Sequence, residues 1–296
     1  MTSLTFSLSA LMRACKHLCL NSLVLGLAVG AAVTQAAALE SDWAETEGGR
    51  MRLVVDPEPR ADGSIMAVLD VDLAPGWKTY WREPGSAGIP PTLDFSQSLG
   101  VAMDELMFPP PVRVDDGYSI WAGYTAPVRF PVSLKVTGSG TLEIRALAFI
   151  GICEKICVPF QAELAVDIPA AMTESDHATA IVNEAMASLP PAQTEDFRFT
   201  DFRVDPERMQ MTVSVALPAF RPAGTEPALF LSGPPGSAFG VPELLADADG
   251  VARWQVRIKR LPDNGGDLNL SDVEAVVTFG RRSMAASLGK PDGSQN

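Results

Sequence analysis

The chain has 296 residues, 47% of them hydrophobic and 20% charged, and a formal charge of −13. That acidic balance argues against nucleic acid and anionic membrane as partners, because both repel a negative surface. The length allows two domains, each large enough for its own core.

Residues 1–38 read as a cleaved signal peptide. Arg13 and Lys16 precede the apolar run LVLGLAVGAAV (residues 23–33), and TQAAA then supplies small residues at Thr34/Ala36 or Ala36/Ala38 for a signal peptidase. Starting at Met12 would give the compact basic start MRACKH. The run is shorter than the roughly 20 residues of a spanning helix, and no later stretch is long and apolar enough to insert stably in a membrane. Cleavage removes Cys15 and Cys19, so Cys153 and Cys157 become the only thiols. It also leaves 21 basic residues against 36 acidic ones, a balance of −15.

From residue 39 onward period-two alternation dominates, the mark of half-buried antiparallel strands. Leu69, Val71 and Leu73 alternate with Asp70 and Asp72; Phe130, Val132, Leu134 and Val136 enclose Ser133 and Lys135. Leu142/Ile144/Ala146 and Ala162/Leu164/Val166/Ile168 repeat the pattern. With 24 Gly and 24 Pro marking turns, the fold class is an all-β sandwich. Residues 171–195 read as a linker with a short helix: Ser175 is placed to cap it, Ile181, Val182, Ala185 and Met186 share one face, and Pro190 ends it. Residues 196–288 are again strand-rich (Met209/Met211/Val213/Val215, WQVRIK, VEAVVTF), contain no Cys or His, and form a second, similar β-sandwich. Residues 289–296 have the composition of a disordered tail.

The stretch AFIGICEKICVPF (residues 148–160) holds the two remaining cysteines. If 142–152 is one strand, its even positions face the core, and Cys153 falls on the outer side with Glu143 and Arg145. Beyond the turn, Ala162, Leu164, Val166 and Ile168 face the core, so Cys157 lies outside with Gln161 and Glu163. A three-residue loop Glu154-Lys155-Ile156 sets Cys153 opposite Cys157, at a Cα separation that suits a disulfide. The same register sets Phe149 opposite Gln161 and Leu147 opposite Glu163, leaving apolar side chains beside the sulfurs that something must cover.

Three readings of the pair stand at this point. As a staple, closing a five-residue loop restricts the unfolded chain by only about 2 kcal/mol. As a metal site it lacks ligands, since the mature chain adds only His177, although weak Cu(I) binding by two thiolates stays open. As a redox centre it needs two adjacent thiols, one accessible sulfur and an oxidising compartment.

With the cysteines, the stretches GWKTYWREPGSAGIPP (76–91) and DDGYSIWAGYTAPVRFPVSLKV (115–136) resemble the N-terminal periplasmic domain of the DsbD and ScsB protein-disulfide reductases. The resemblance implies an immunoglobulin-like domain over residues 39–170. It also implies a periplasmic protein-disulfide reductase component without cofactor or metal. Reducing equivalents would come from a membrane thiol transporter of the CcdA/DsbD type and pass to periplasmic thioredoxin-like or cytochrome-maturation partners. Family members usually carry the transporter and a thioredoxin-like domain in the same polypeptide; this sequence shows neither. Their best-studied members also space the two cysteines further apart. Carried over, Cys157 forms the mixed disulfide with the partner and Cys153 resolves it. A loop aromatic, Tyr118 or Trp121, caps the pair, while Tyr80, Trp77 and Phe149 are candidates to flank it. Lys155 favours thiolate; Glu154, Asp115 and Asp116 oppose it. The plainer readings are packing residues for the aromatics and turn residues for Asp115 and Asp116.

Overall fold

The computed structural model describes residues 39–85, 88–172, 174–221, 223–262 and 268–289. The segment expected to be a signal peptide, with Cys15 and Cys19, and the expected tail lie outside the described residues, apart from Gly289. The architecture is all-β, an immunoglobulin-like sandwich followed by a second β-sandwich. In the first half, a five-stranded antiparallel sheet runs in the order Ala44–Thr46, Gly49–Asp56, Ser64–Leu73, Val128–Val136, Val101–Leu106. It faces a sheet ordered Cys157–Ile168, Leu142–Cys153, Lys78–Tyr80, Ile120–Tyr124, Val112–Asp115, with Thr92–Asp94 also pairing to Leu142–Cys153.

Alternation explains which side chains meet between these sheets. Leu53, Leu69 and Phe130 are in register across one sheet, while Ile144, Ala146, Ala148 and Ile150 line the other, all at most 1% exposed. Phe130 packs edge-on against Phe108 and Tyr124 at 5.3 Å, a geometry favoured by the ring quadrupoles. The opposite face of the five-stranded sheet is covered too. Helix α1 (Asp176–Ala187), capped by Ser175, lays Ala178, Ile181, Val182 and Ala185 on the strands Gly49–Asp56, Ser64–Leu73 and Val128–Val136. Asp70, placed on the polar face by its alternation, is therefore 7% exposed, paired with Arg52 and Arg129; Arg129 also bonds Glu184 of the helix.

The second half pairs Arg198–Asp205, Gln210–Ala216 and Val251–Arg260 in one sheet, joined at its edge by Ala238–Phe239 and Glu243–Ala248. The other sheet consists of Ala228–Ser232, Glu274–Phe279 and Arg282–Ser287. Its first two strands, ALFLS and EAVVTF, are apolar at successive positions, as strands buried on both faces require. Leu229, Leu231, Ala275 and Val277 point into the second core, whereas Phe230 and Val276 belong to the first. One sheet thus serves two cores.

Because the cores share this sheet, urea unfolding should show one transition reported alike by Trp81 in the first core and Trp254 in the second. Val276→Ala should lower the stability of both halves together, by about 2 kcal/mol.

Candidate active site

The hairpin Leu142–Cys153/Cys157–Ile168 keeps an unbroken register. Leu147 faces Glu163, Phe149 faces Gln161, and Cys153 faces Cys157, as the strand parities require. The two cysteines are joined, with Cα atoms 4.1 Å apart. Both lie on the outer face, opposite Ile150 and Ile152. Outer does not mean open for both, however: Cys157 is exposed while Cys153 is only 1% exposed.

The cover over Cys153 comes from the strand Lys78–Tyr80 and from the hairpin Val112–Asp115/Ile120–Tyr124. In WKTYW the alternation sends Trp77, Thr79 and Trp81 to one side and Lys78 and Tyr80 to the other. Trp77 and Trp81 pack with the main core. Lys78 pairs with Cys153 across the ladder, and Thr79 Oγ1 donates to the Gly151 carbonyl at 2.8 Å. Tyr80, Trp121 and Cys153 form a small apolar cluster of their own, with Val114 against it. Tyr80 and Trp121 meet edge to face at 6.0 Å. The Tyr80 hydroxyl lies 3.0 Å from each sulfur and donates to them, since disulfide sulfurs carry no proton.

Asp116 locks this cover. Its Oδ2 accepts from Lys78 Nζ at 2.9 Å and from Trp121 Nε1 at 3.2 Å, and its Oδ1 accepts from the backbone N–H groups of Tyr118 and Ser119. The Lys78 ammonium also sits 4.4 Å from the centre of the Trp121 ring. The Lys78 hydrogen bond, helped by those two backbone donors, holds the Asp116 carboxyl well below the usual carboxylate range. Burial, then the nearby Asp116 charge, pushes the Tyr80 phenol up, so it remains a proton donor at neutral pH.

Close approach needs a glycine. Ile89 crosses the outer face above Gly151, where a Cβ would meet Ile89 Cβ at 2.7 Å, its carbonyl oxygen at 3.0 Å and the Tyr80 ring at 3.2 Å. Gly151 therefore seats both the 88–90 segment and Tyr80.

Of the other candidates, Tyr118 is fully exposed and contributes its backbone N–H to Asp116. The aromatic of this loop that reaches Cys153 is Trp121. Phe149 is half-buried on the cysteine face but lies beyond Gly151, four residue pairs from Cys153, outside the Tyr80–Trp121 cluster. Glu154 and Lys155 are exposed at the loop tip. Asp115 closes a turn by accepting from Gly117 N at 2.9 Å. Asp116 is paired with a cation, Lys78; sequence reasoning passed over Lys78 and Gly151. The shared strand parity of Lys78 and Tyr80 was the signal for the first. Among the described residues, no group of three or more His, Cys, Asp or Glu is placed to hold a metal, and no helix is long and apolar enough to cross a membrane.

Residues 52–169 match the family model described as thiol:disulfide interchange protein DsbD, N-terminal. Over this segment the chain is similar to the DsbD N-terminal family. No curated protein matches the sequence. Among solved structures, the N-terminal periplasmic domain of ScsB from Proteus mirabilis superposes with a TM-score of 0.63 at 23% identity, over 86% of this chain and 100% of that one. That likeness extends the shared fold beyond the DsbD segment into the second half. The family match and the disulfide together support a thiol-disulfide exchange module in residues 52–169.

Gly151→Ala should displace Ile89 and Tyr80, lowering stability by about 1–3 kcal/mol and speeding reduction of the disulfide by dithiothreitol. The folded pKa of Asp116 lies below its unfolded value of about 3.9. Its contribution is thus present above the unfolded value and is lost only as pH falls through the lower folded one. Reactivity toward a small phosphine, corrected for reagent ionisation, should stay flat from neutrality down to about pH 4, and Asp116→Asn should raise it throughout that range.

Proposed function

We propose that this chain is an exported, periplasmic component of a protein-disulfide reductase. Residues 39–170 act as the redox domain and 196–288 as a second domain, with 171–195 between them. It takes reducing equivalents from a membrane thiol transporter of the CcdA/DsbD type and hands them to thioredoxin-like or cytochrome-maturation partners. The observation that supports this reading most directly is the asymmetry of the pair: Cys157 is exposed, Cys153 is covered.

That asymmetry orders the chemistry. A donor thiolate attacks Cys157 Sγ, the Cys153–Cys157 bond breaks, and Cys153 leaves with the electron pair as a thiolate. The Tyr80 hydroxyl, already 3.0 Å away, donates a hydrogen bond to that developing charge. A second donor thiolate then attacks the donor sulfur of the mixed disulfide and releases Cys157. The donor leaves as a disulfide; the pair has gained two electrons and two protons. In the second half-reaction the Cys157 thiolate attacks an acceptor disulfide and forms the mixed disulfide, expelling one acceptor thiolate. Cys153 attacks Cys157 Sγ, the original bond re-forms, and the acceptor departs as a dithiol. Lys78, opposite Cys153, offsets the negative charge of Asp116 beside the site.

In a periplasmic extract, Cys153→Ala should accumulate mixed disulfides at Cys157, because the resolving thiol is gone. Cys157→Ala should accumulate far fewer, its remaining thiol being covered. Absence of any trapped thioredoxin-like or transporter partner with Cys153→Ala would count against the relay. So would a Cys153–Cys157 reduction potential below about −300 mV, the range of purely structural disulfides. Tyr80→Phe, which keeps the ring and removes the donor, should slow exchange with a partner by about tenfold.

A further inference from the structure

The cover over Cys153 is built on weakly supported strands. Val112–Asp115 has four residues and, among the described residues, forms the edge of its sheet, paired only to Ile120–Tyr124; Lys78–Tyr80 has three. Short edge strands open readily unless something outside the sheet holds them. Here that support comes from the second half, and it reaches both cover-bearing strands. Phe230, 1% exposed on the strand Ala228–Ser232, packs edge-on against Trp81 at 5.8 Å, and Trp81 directly follows Tyr80. On Phe230's ring, 4.4 Å from its centre, lies the guanidinium of Arg113, which belongs to the edge strand itself. Arg113 Nη2 also donates to the Leu229 carbonyl at 2.6 Å. Arg82, next after Trp81, pairs with Glu274 at 2.7 Å.

A cleft of about 350 Å³ lies between the halves, bordered by Trp81, Arg113, Trp121 and Phe230 among others. Trp121 thus packs with Cys153 and also borders this cleft, and its hairpin reaches the second half through Arg113. Burial pushes the Arg113 guanidinium down to about 10, consistent with a cation fixed between the halves and still charged at neutral pH.

We propose that Phe230 and Arg113 are positioning residues for the disulfide: through them the second half holds Tyr80 and Trp121 over Cys153 and sets how readily the pair becomes available for exchange. This rests on reading Cys153–Cys157 as an exchange site, and it assigns the second half a part in that exchange.

The test uses the full oxidised chain and tris(2-carboxyethyl)phosphine, a reductant small enough to need no protein docking surface. Phe230→Ala and Arg113→Gln should each be reduced about tenfold faster than the parent, since each removes an aromatic or cation–π contact. Phe230→Tyr, which restores the ring, should return the rate to the parental value. Variants that keep the parental circular dichroism and single unfolding transition yet reduce at the parental rate would overturn the proposal. Should the variants fail to fold, hydrogen exchange on the parent decides. Amides of residues 120–122 should exchange together with those of 229–231; rapid exchange at 120–122 while 229–231 stay protected would overturn it. Because the phosphine assay needs no partner, the relay can fail in trapping experiments while this support of the cover holds, and the reverse.

Discussion

Everything about this site follows from one pairing: Leu142–Cys153 against Cys157–Ile168, in register to the last residue. The register fixes parity, and parity sends Ile144, Ala146, Ala148, Ile150 and Ile152 inward and both sulfurs outward. A slip by one residue would bury the sulfurs in the sandwich and expose the isoleucines, so the large apolar area on the inner face protects the small polar arrangement on the outer one. The disulfide itself closes too short a loop to be a major source of stability. Its placement is a consequence of the sheet rather than a cause of it.

Sulfur on an outer face would ordinarily be accessible from every direction. In this protein access is made one-sided by Tyr80 and Trp121, which bury Cys153 while Cys157 stays exposed. The cover is held by weak forces: an edge-to-face aromatic contact, a partly exposed ion pair, and a hydroxyl shared between two sulfurs. Each such contact contributes about 1 kcal/mol or less, an amount that docking of a partner can offset.

Much of this was legible in the sequence, and the reasons are local. Period-two alternation gave the strands, and with a three-residue loop between two core-facing sets it gave the pairing of Cys153 with Cys157. The need for a cover was visible from Leu147 and Phe149, which have no place on a polar face. What covers Cys153 was harder to see, because Tyr80 and Trp121 are far from it in sequence, and only the family resemblance brought them near. Lys78 was overlooked since a lysine on a strand reads as solvated; only its parity with Tyr80 marks it out. Helix α1 was legible as a helix from its cap and periodicity, but nothing in its residues says which sheet face it covers. The shared sheet was hidden in the same way: ALFLS and EAVVTF announce strands buried on both faces, without saying that the two faces belong to different cores.

That shared sheet imposes an order of events on a chain that emerges from its N-terminus. The cysteine hairpin, complete by residue 168, is present long before Phe230 and Val276, which the second half adds to the first core. Segments that fold as they appear pass through states lacking later partners. In those nascent states Trp81 and Arg113 lack Phe230, so the strands that carry Tyr80 and Trp121 have yet to gain that contact.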